Sequence, residues 1–67
     1  MSIPEVIREN RKRRGLTQRQ LGEACGYESK TGERMVQFWE HGATPIPLNK
    51  IRILAATLQI PIDELIP

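Results

Sequence analysis

Apolar residues recur at helical spacing along the chain, and each run begins and ends at a recognisable signal. The first run consists of Ile3, Val6 and Ile7. Residues 2–5 read Ser-Ile-Pro-Glu, the Ser-x-x-Glu form of a capping box, and proline is tolerated in the first helical turn. Gly15 is a natural stop because glycine readily adopts left-handed backbone angles. We therefore predict a first helix near residues 3–14.

Two further helices are predicted on either side of a polar connection. Residues 17–20 read Thr-Gln-Arg-Gln, a second capping box, and they open a short helix near residues 18–25. Residues 27–32 contain Ser, Thr and Gly, which is typical of a connection. A third helix then runs near residues 33–41, with either Thr31 or Gly32 as its N-cap.

The last third of the chain predicts two more helices. Pro45 and Pro47 exclude a helix interior between them because proline lacks a backbone donor and fixes φ. Pro47 suits the first turn of a fourth helix near residues 47–58, whose apolar positions repeat at helical spacing. Pro61 opens a short fifth helix near residues 61–66. Strand signals are almost absent, so the sequence predicts one all-α domain of five short helices over residues 1–67.

The third helix has an outward side that carries long hydrogen-bonding groups. With Val36 at 0° and about 100° per residue, Trp39 at about 300° and Glu40 at about 40° can face the core. The residues that point away are Gln37, His41, Arg34 and Phe38. Arginine matches guanine and glutamine matches adenine in the major groove of DNA, where a helix fits. An ordinary solvated helix face is the alternative that these residues alone leave open.

Composition limits the possible functions. The chain has 67 residues, with 10 Lys and Arg against 8 Asp and Glu, and most of the basic residues lie in its first half. That distribution favours a polyanionic partner, although solubility alone would also explain it. A domain this small has little room for a deep catalytic cavity. It also lacks a phosphate loop and a plausibly spaced nucleophile–base pair, so we predict a protein that is not an enzyme and uses no cofactor.

The cysteine content and the hydropathy of the chain predict its cellular compartment. Cys25 is the only cysteine, so it cannot form an internal disulfide, and we expect it to be a small buried hydrophobe. The only histidine lies far from it in sequence, so no metal site is expected. The chain has no apolar run of about 18 residues and no leader-like start, which predicts a cytoplasmic protein without a membrane partner.

One ordered set of residues extends over nearly the whole chain. It begins with Ile7-Arg8 and Arg11, and it ends with Ile51, Leu54-Ala55, Leu58, Ile60 and Asp63-Glu64-Leu65. Its centre consists of Leu16-Thr17-Gln18, Leu21, Gly26, Val36, Trp39-Glu40 and Gly42. This combination resembles the Cro/repressor-type (Xre) helix-turn-helix family of bacteria and phages. The resemblance implies a lambda-repressor-like fold whose second and third helices, at about residues 17–41, bind double-stranded DNA.

The resemblance also implies roles for individual residues. The predicted DNA-contacting set is Thr17, Gln18, Lys30, Thr31, Glu33, Arg34, Gln37, Phe38 and His41. Within it, Arg34 and Gln37 are expected to reach base edges, whereas Lys30, in the connection, is expected to meet a phosphate. Arg11 and Glu40 look like the family's internal salt bridge between the first and third helices. The angular position of Glu40 agrees with that pairing.

The resemblance implies an assembly as well. Ile62, Leu65 and Ile66 form an apolar end that exceeds what the local core needs. Because family members often pair near this position, we predict a weak homodimer on paired DNA half-sites. The predicted biological role is a small transcriptional regulator, a steric repressor of phage or prophage type or an operator-binding antitoxin.

Some residues depart from the family pattern. Gly26 and Val36 are ten positions apart, whereas the family usually has about six. Gly22 replaces the usual alanine and is expected to weaken the second helix slightly. Phe38 and the acidic Glu33 are unusual on a DNA-reading helix. They leave open the alternative function, a protein-interaction module that reuses the fold without binding DNA.

Overall fold

The computed structural model describes all residues, Met1–Pro67, and contains four α-helices and one 3₁₀ helix. These are α1 (Ile3–Arg13), α2 (Gln18–Ala24), α3 (Ser29–His41), α4 (Leu48–Leu58) and the 3₁₀ helix Ile62–Leu65. No strand is present, so the all-helical class is confirmed. None of the helices combines the length and the apolar composition that a membrane crossing needs.

Both predicted capping boxes are present. The Ser2 hydroxyl accepts from the Glu5 backbone N–H, and the Glu5 carboxylate accepts from the Ser2 backbone N–H. Thr17 and Gln20 exchange the same two hydrogen bonds, at 3.0 Å and 2.9 Å. Each box satisfies two donors that a helix start would leave unpaired, which explains why α1 and α2 begin at the predicted residues.

The start of α3 differs from the prediction. The helix begins at Ser29 with Glu28 as its N-cap, four residues before the predicted start, so neither Thr31 nor Gly32 is the cap. Gly32 lies inside the helix because it packs against Gly22 of α2. A Cβ atom added to Gly22 would lie 2.3 Å from the Gly32 carbonyl carbon. The two glycines therefore let α2 and α3 cross at a distance that side chains would prevent.

The predicted fifth helix is a short 3₁₀ helix, so a count of five α-helices is not confirmed. Pro61 lies at its N-cap, and its turns close through i→i+3 hydrogen bonds, such as the one that the Glu64 N–H donates to the Pro61 carbonyl. Only four residues are helical between Pro61 and Pro67. A segment this short closes 3₁₀ turns more readily than α-helical ones.

The core lies between the helices and includes the chain end. Its buried members are Val6, Ile7, Leu21, Cys25, Val36, Trp39, Ile51, Leu54, Ala55, Leu58 and Leu65. Leu65 is 1% exposed, because the 3₁₀ helix packs back onto α1 and α4. This placement contradicts the prediction that Leu65 contacts a second copy. Ile62 and Ile66 remain on the surface, at 37% and 50% exposure.

Candidate nucleic-acid interface

A tight turn joins α2 to α3. Cys25 is the C-cap of α2, and Gly26 has a φ of +92°, a left-handed angle that glycine adopts without a steric cost. The Ser29 hydroxyl, at the start of α3, donates to the Glu23 carboxylate. Together with the Gly22–Gly32 contact, these features fix α2 and α3 as one unit.

Lys50 of α4 holds this turn from the opposite side. Its Nζ donates to the Cys25 carbonyl at 2.8 Å and lies 4.7 Å from the centre of the Tyr27 ring. The carbonyl belongs to the last turn of α2, where cations interact favourably with the helix dipole. The Tyr27 ring in turn lies 6.1 Å from a ring of Trp39. The turn between the helices is therefore anchored to both α3 and α4.

The side of α3 that points away from the core carries a stripe of mostly polar and basic residues. We call it the outer face of α3, and it consists of Lys30, Thr31, Arg34, Gln37, Phe38 and His41. Of these only Gln37 is half-buried, and the other five are exposed. Because α3 begins at Ser29, Lys30 lies on its first turn at about 120°, close to Arg34 at about 160°. The prediction that Lys30 lies in the connection before α3 is therefore wrong.

Glu33 and Phe38 occupy different parts of this surface. Glu33 falls at about 60° on the helix, at the edge of the outer face, and is half-buried. Phe38 falls at about 200° and is 37% exposed. The middle of the outer face is therefore basic, Gln37 at about 100° lies toward one edge, and the acidic residue lies at the margin beyond it.

Gln18 links the first turn of α2 to the outer face. Its side-chain oxygen accepts from Gln37 Nε2 at 3.3 Å, and its own Nε2 donates to Glu40 Oε1 at 3.3 Å. Thr17, the N-cap immediately before it, is exposed. The predicted contact residues of α2 and α3 are thus neighbours in space, and Gln37 has one side-chain donor engaged within the protein.

Glu40, which accepts from Gln18, also forms the ion pair with Arg11 that the family resemblance implied. Arg11 Nε lies 2.6 Å from Glu40 Oε2, and its Nη2 donates to Glu40 Oε1 at 3.2 Å. Arg11 Nη1 also donates to the Leu16 carbonyl at 3.0 Å. The two side chains are 12% and 3% exposed. Two parallel N–H···O bonds give this pair a fixed geometry, so α1 and α3 are held in one relative orientation.

Cys25 and Tyr27 are two further titratable groups at the turn between α2 and α3. Burial raises the pKa of the Cys25 thiol above its ordinary value of 9.0, although the positive charge of Lys50 acts in the opposite direction. Burial also raises the pKa of the Tyr27 phenol. No three His, Cys, Asp or Glu side chains lie close enough together to hold a metal ion.

Several of these contacts were not predicted from the sequence. They are the glycine contact between α2 and α3, the Lys50 anchor and the Gln18–Gln37 hydrogen bond. Gly22 and Gly32 are visible as two glycines ten residues apart. That spacing indicates a close helix crossing only once Gly32 is placed in a helix.

Comparison with known proteins agrees with this architecture. Two short helices joined by a tight turn, with a polar outer face on the second, define a helix-turn-helix protein. A helix-turn-helix family model matches residues 7–65. The chain belongs to this family, of the Cro/repressor (Xre) type. No curated protein and no solved structure matches the chain significantly.

Proposed function

We propose that this protein binds specific sequences of double-stranded DNA and regulates transcription. The outer face of α3 is the observation that carries the proposal. It presents Arg34, Gln37 and Lys30 on one exposed side of a helix, and an α-helix fits the major groove. The family match supports DNA binding by the same pair of helices.

Base reading is assigned to three residues of the outer face. Arg34 has a planar group that donates two hydrogen bonds to guanine O6 and N7. Gln37 keeps a free carbonyl lone pair and a second N–H for adenine, and its contact with Gln18 fixes the orientation of its amide. Phe38 is placed to contact a thymine methyl group. These three residues are proposed to determine the preferred sequence.

Positioning on the DNA backbone is assigned to the surrounding residues. They are Thr17, Gln18, Lys30, Thr31 and His41, with Glu33 at the margin. Contacts from hydroxyl, amide and ammonium groups to phosphates set the register of the protein but carry no sequence information. The Arg11–Glu40 pair contributes indirectly, because it holds the helix that carries the reading residues.

The proposed biological role is repression by steric exclusion at an operator, of phage, prophage or antitoxin type. A single domain of this size buries roughly 600–1,000 Å² of its own surface on DNA, which rarely gives high specific affinity alone. We therefore propose a weak homodimer on paired half-sites, with Ile62 and Ile66 at the interface. The cytoplasmic location and the single-domain boundary at residues 1–67 remain predictions.

Selection of bound sequences from a random duplex pool tests the proposal. We expect enrichment of a short motif, repeated as two half-sites about one helical turn apart. The variant in which Arg34 and Gln37 are both alanine serves as the matched control, and it should bind without enriching that motif. A pool that stays unenriched, together with no gel shift on random duplex at low salt, would contradict DNA binding and favour the protein-interaction module.

A further inference from the structure

A series of side-chain hydrogen bonds runs from the outer face of α3 into the protein, and all of its bonds point the same way. Gln37 Nε2 donates to Gln18 Oε1, and Gln18 Nε2 donates to Glu40 Oε1, each at 3.3 Å. The series ends at the Glu40 carboxylate, which also accepts two bonds from Arg11. Each amide therefore turns its nitrogen toward the next acceptor on the way to Glu40.

The chemistry of Glu40 sets this direction. The amide of a glutamine side chain exchanges its donor for its acceptor by turning about 180°, with almost no change in shape. An ionised carboxylate only accepts, and the guanidinium of Arg11 only donates. If Gln18 turned its oxygen toward Glu40, two acceptors would meet and a buried acceptor would lose its partner, which is unfavourable. Gln18 must therefore present its oxygen to Gln37, which must answer with its nitrogen.

As a result, Gln37 presents an acceptor to the solvent. Its Nε2 is engaged with Gln18, and no group of the protein donates to its Oε1. Trp39 Nε1 is the only buried side-chain nitrogen or oxygen without a hydrogen-bond partner, so the free Gln37 oxygen is accessible. The outer face therefore carries a carbonyl oxygen whose direction is fixed before any ligand arrives.

In the major groove, adenine and cytosine present an amino group where guanine and thymine present a keto oxygen. A fixed acceptor bonds the amino group and opposes the keto oxygen. We propose, resting on the DNA binding proposed above, that Glu40 acts through Gln18 to make Gln37 select an amino-bearing base and reject guanine and thymine. Adenine is preferred to cytosine, because its N7 accepts the second N–H of Gln37. Glu40 is buried and touches no base, so it is a positioning residue.

Gln18→Met tests the series without breaking the Arg11–Glu40 pair. Methionine has a similar length but donates no hydrogen bond, so the Gln37 amide becomes free to turn either group toward the DNA. Loss of a base preference in Gln37→Ala first identifies the base pair that Gln37 reads. At that pair the parent should prefer the amino-bearing base about tenfold, and Gln18→Met should lower this to about threefold or less. The preference at the pair read by Arg34 should not change.

The preference at one base pair separates positioning from other roles of Gln18. Loss of a phosphate contact or a small change in stability weakens binding to all sequences alike. Arg19→Met, at the exposed neighbouring position, is the matched control and should leave every base preference as in the parent. If Gln18→Met does not fold, as judged by circular dichroism, Gln18→Asn replaces it, because its amide is too short to reach both partners.

The outcomes distinguish this proposal from the one on which it rests. A parent protein that binds no duplex would overturn the proposed function itself. A parent that binds DNA and keeps its full preference in the Gln18 variant would overturn only the role of Glu40 and Gln18. Selection of guanine or thymine at the pair read by Gln37, or no pair that responds to Gln37→Ala, would overturn the inference as well.

Discussion

Glu40 connects the packed interior to the proposed reading residues. Its carboxylate accepts from Arg11 on one side and from Gln18 on the other, and Gln18 accepts from Gln37. The side chain is 3% exposed, so these donors replace the water that a surface carboxylate would have. One residue therefore affects both the stability of the fold and the orientation of Gln37.

Replacing Glu40 by alanine should destabilise the protein strongly. The change leaves the Arg11 guanidinium buried without its partner, which costs about 3–5 kcal/mol. In so small a domain this loss unfolds much of the population near room temperature. Thermal unfolding followed by circular dichroism measures the loss, with the exposed Glu9→Ala as the control. A melting temperature within a degree or two of the parent would contradict the structural role of the pair.

Arg34 and Lys30 should differ in what they contribute to DNA binding. Loss of a bidentate base contact in Arg34→Ala should cost about 1–3 kcal/mol of discrimination at one base pair. Lys30→Ala should retain the preferred sequence but weaken the salt dependence of binding by about one unit of slope. Affinities for the operator and its single-base variants at two salt concentrations separate the two effects. A uniform loss of affinity in Arg34→Ala would refute its assignment as a reading residue.

The raised pKa values of Cys25 and Tyr27 predict a loss of stability at alkaline pH. Burial raises both pKa values, from 9.0 for the thiol and 10.0 for the phenol. The unfolded chain therefore releases these protons at lower pH than the folded chain, and the stability present below pH 9.0 falls as the pH rises. Melting temperatures should show a smaller alkaline decrease in Cys25→Ala than in the parent. Lys50 faces both groups in both proteins, so the difference isolates the thiol, and equal decreases would contradict this account.

At the level of elements, the sequence predicted α1, α2 and α4 to within one residue at each end. Their boundaries depend on local signals, two capping boxes and proline positions, which are visible in the chain itself. The start of α3 depends on a contact with α2. Thr31 and Gly32 look like connection residues because glycine disfavours a helix interior by about 1 kcal/mol. Only the close approach to Gly22 makes Gly32 suitable there, and that approach is a tertiary property.

The close crossing of α2 and α3 predicts whether Gly22→Ala raises or lowers the stability of the protein. On helix propensity alone, Gly22→Ala would stabilise α2 by about 1 kcal/mol. The added Cβ would instead meet the Gly32 backbone at 2.3 Å, and overpacking of this kind typically costs about 1–3 kcal/mol. We expect a net loss of stability in thermal unfolding. Gly15→Ala is the control, since nothing lies within 4 Å of its added Cβ and its strain comes from the backbone angle alone. A stabilised Gly22→Ala would contradict the close crossing.

For the whole molecule, the surface around the chain end determines the predicted assembly. Ile62 and Ile66 are exposed there, whereas Leu65 belongs to the core. The sequence identified the three residues as an apolar end but could not distinguish between them. Which side of so short a segment faces inward depends on how it packs against α1 and α4.

Ile66→Lys should weaken self-association without unfolding the protein. Ile66 is 50% exposed, so a lysine there meets water in the monomer and should leave the melting temperature nearly unchanged. Binding to a paired site should weaken, and binding to a single half-site should not. Ile53→Lys, at an exposed position on α4, is the matched control. Native mass measurement of the DNA complex decides the matter, and one protein molecule on the best paired site would refute the dimer.

The close crossing of α2 and α3 at Gly22 and Gly32 also restricts how the length of α3 can vary. Gly26 and Val36 are ten positions apart, about four more than is usual in the family, and four residues turn a helix by about 400°, a full circle plus about 40°. An insertion of one or two residues would rotate Lys30 by about 100° or 200° relative to Gln37 and separate them onto different sides. We therefore expect insertions and deletions in this segment to be tolerated only in steps of nearly one turn. Engineers who lengthen or shorten this helix should do so by three or four residues at a time and keep a glycine opposite Gly22.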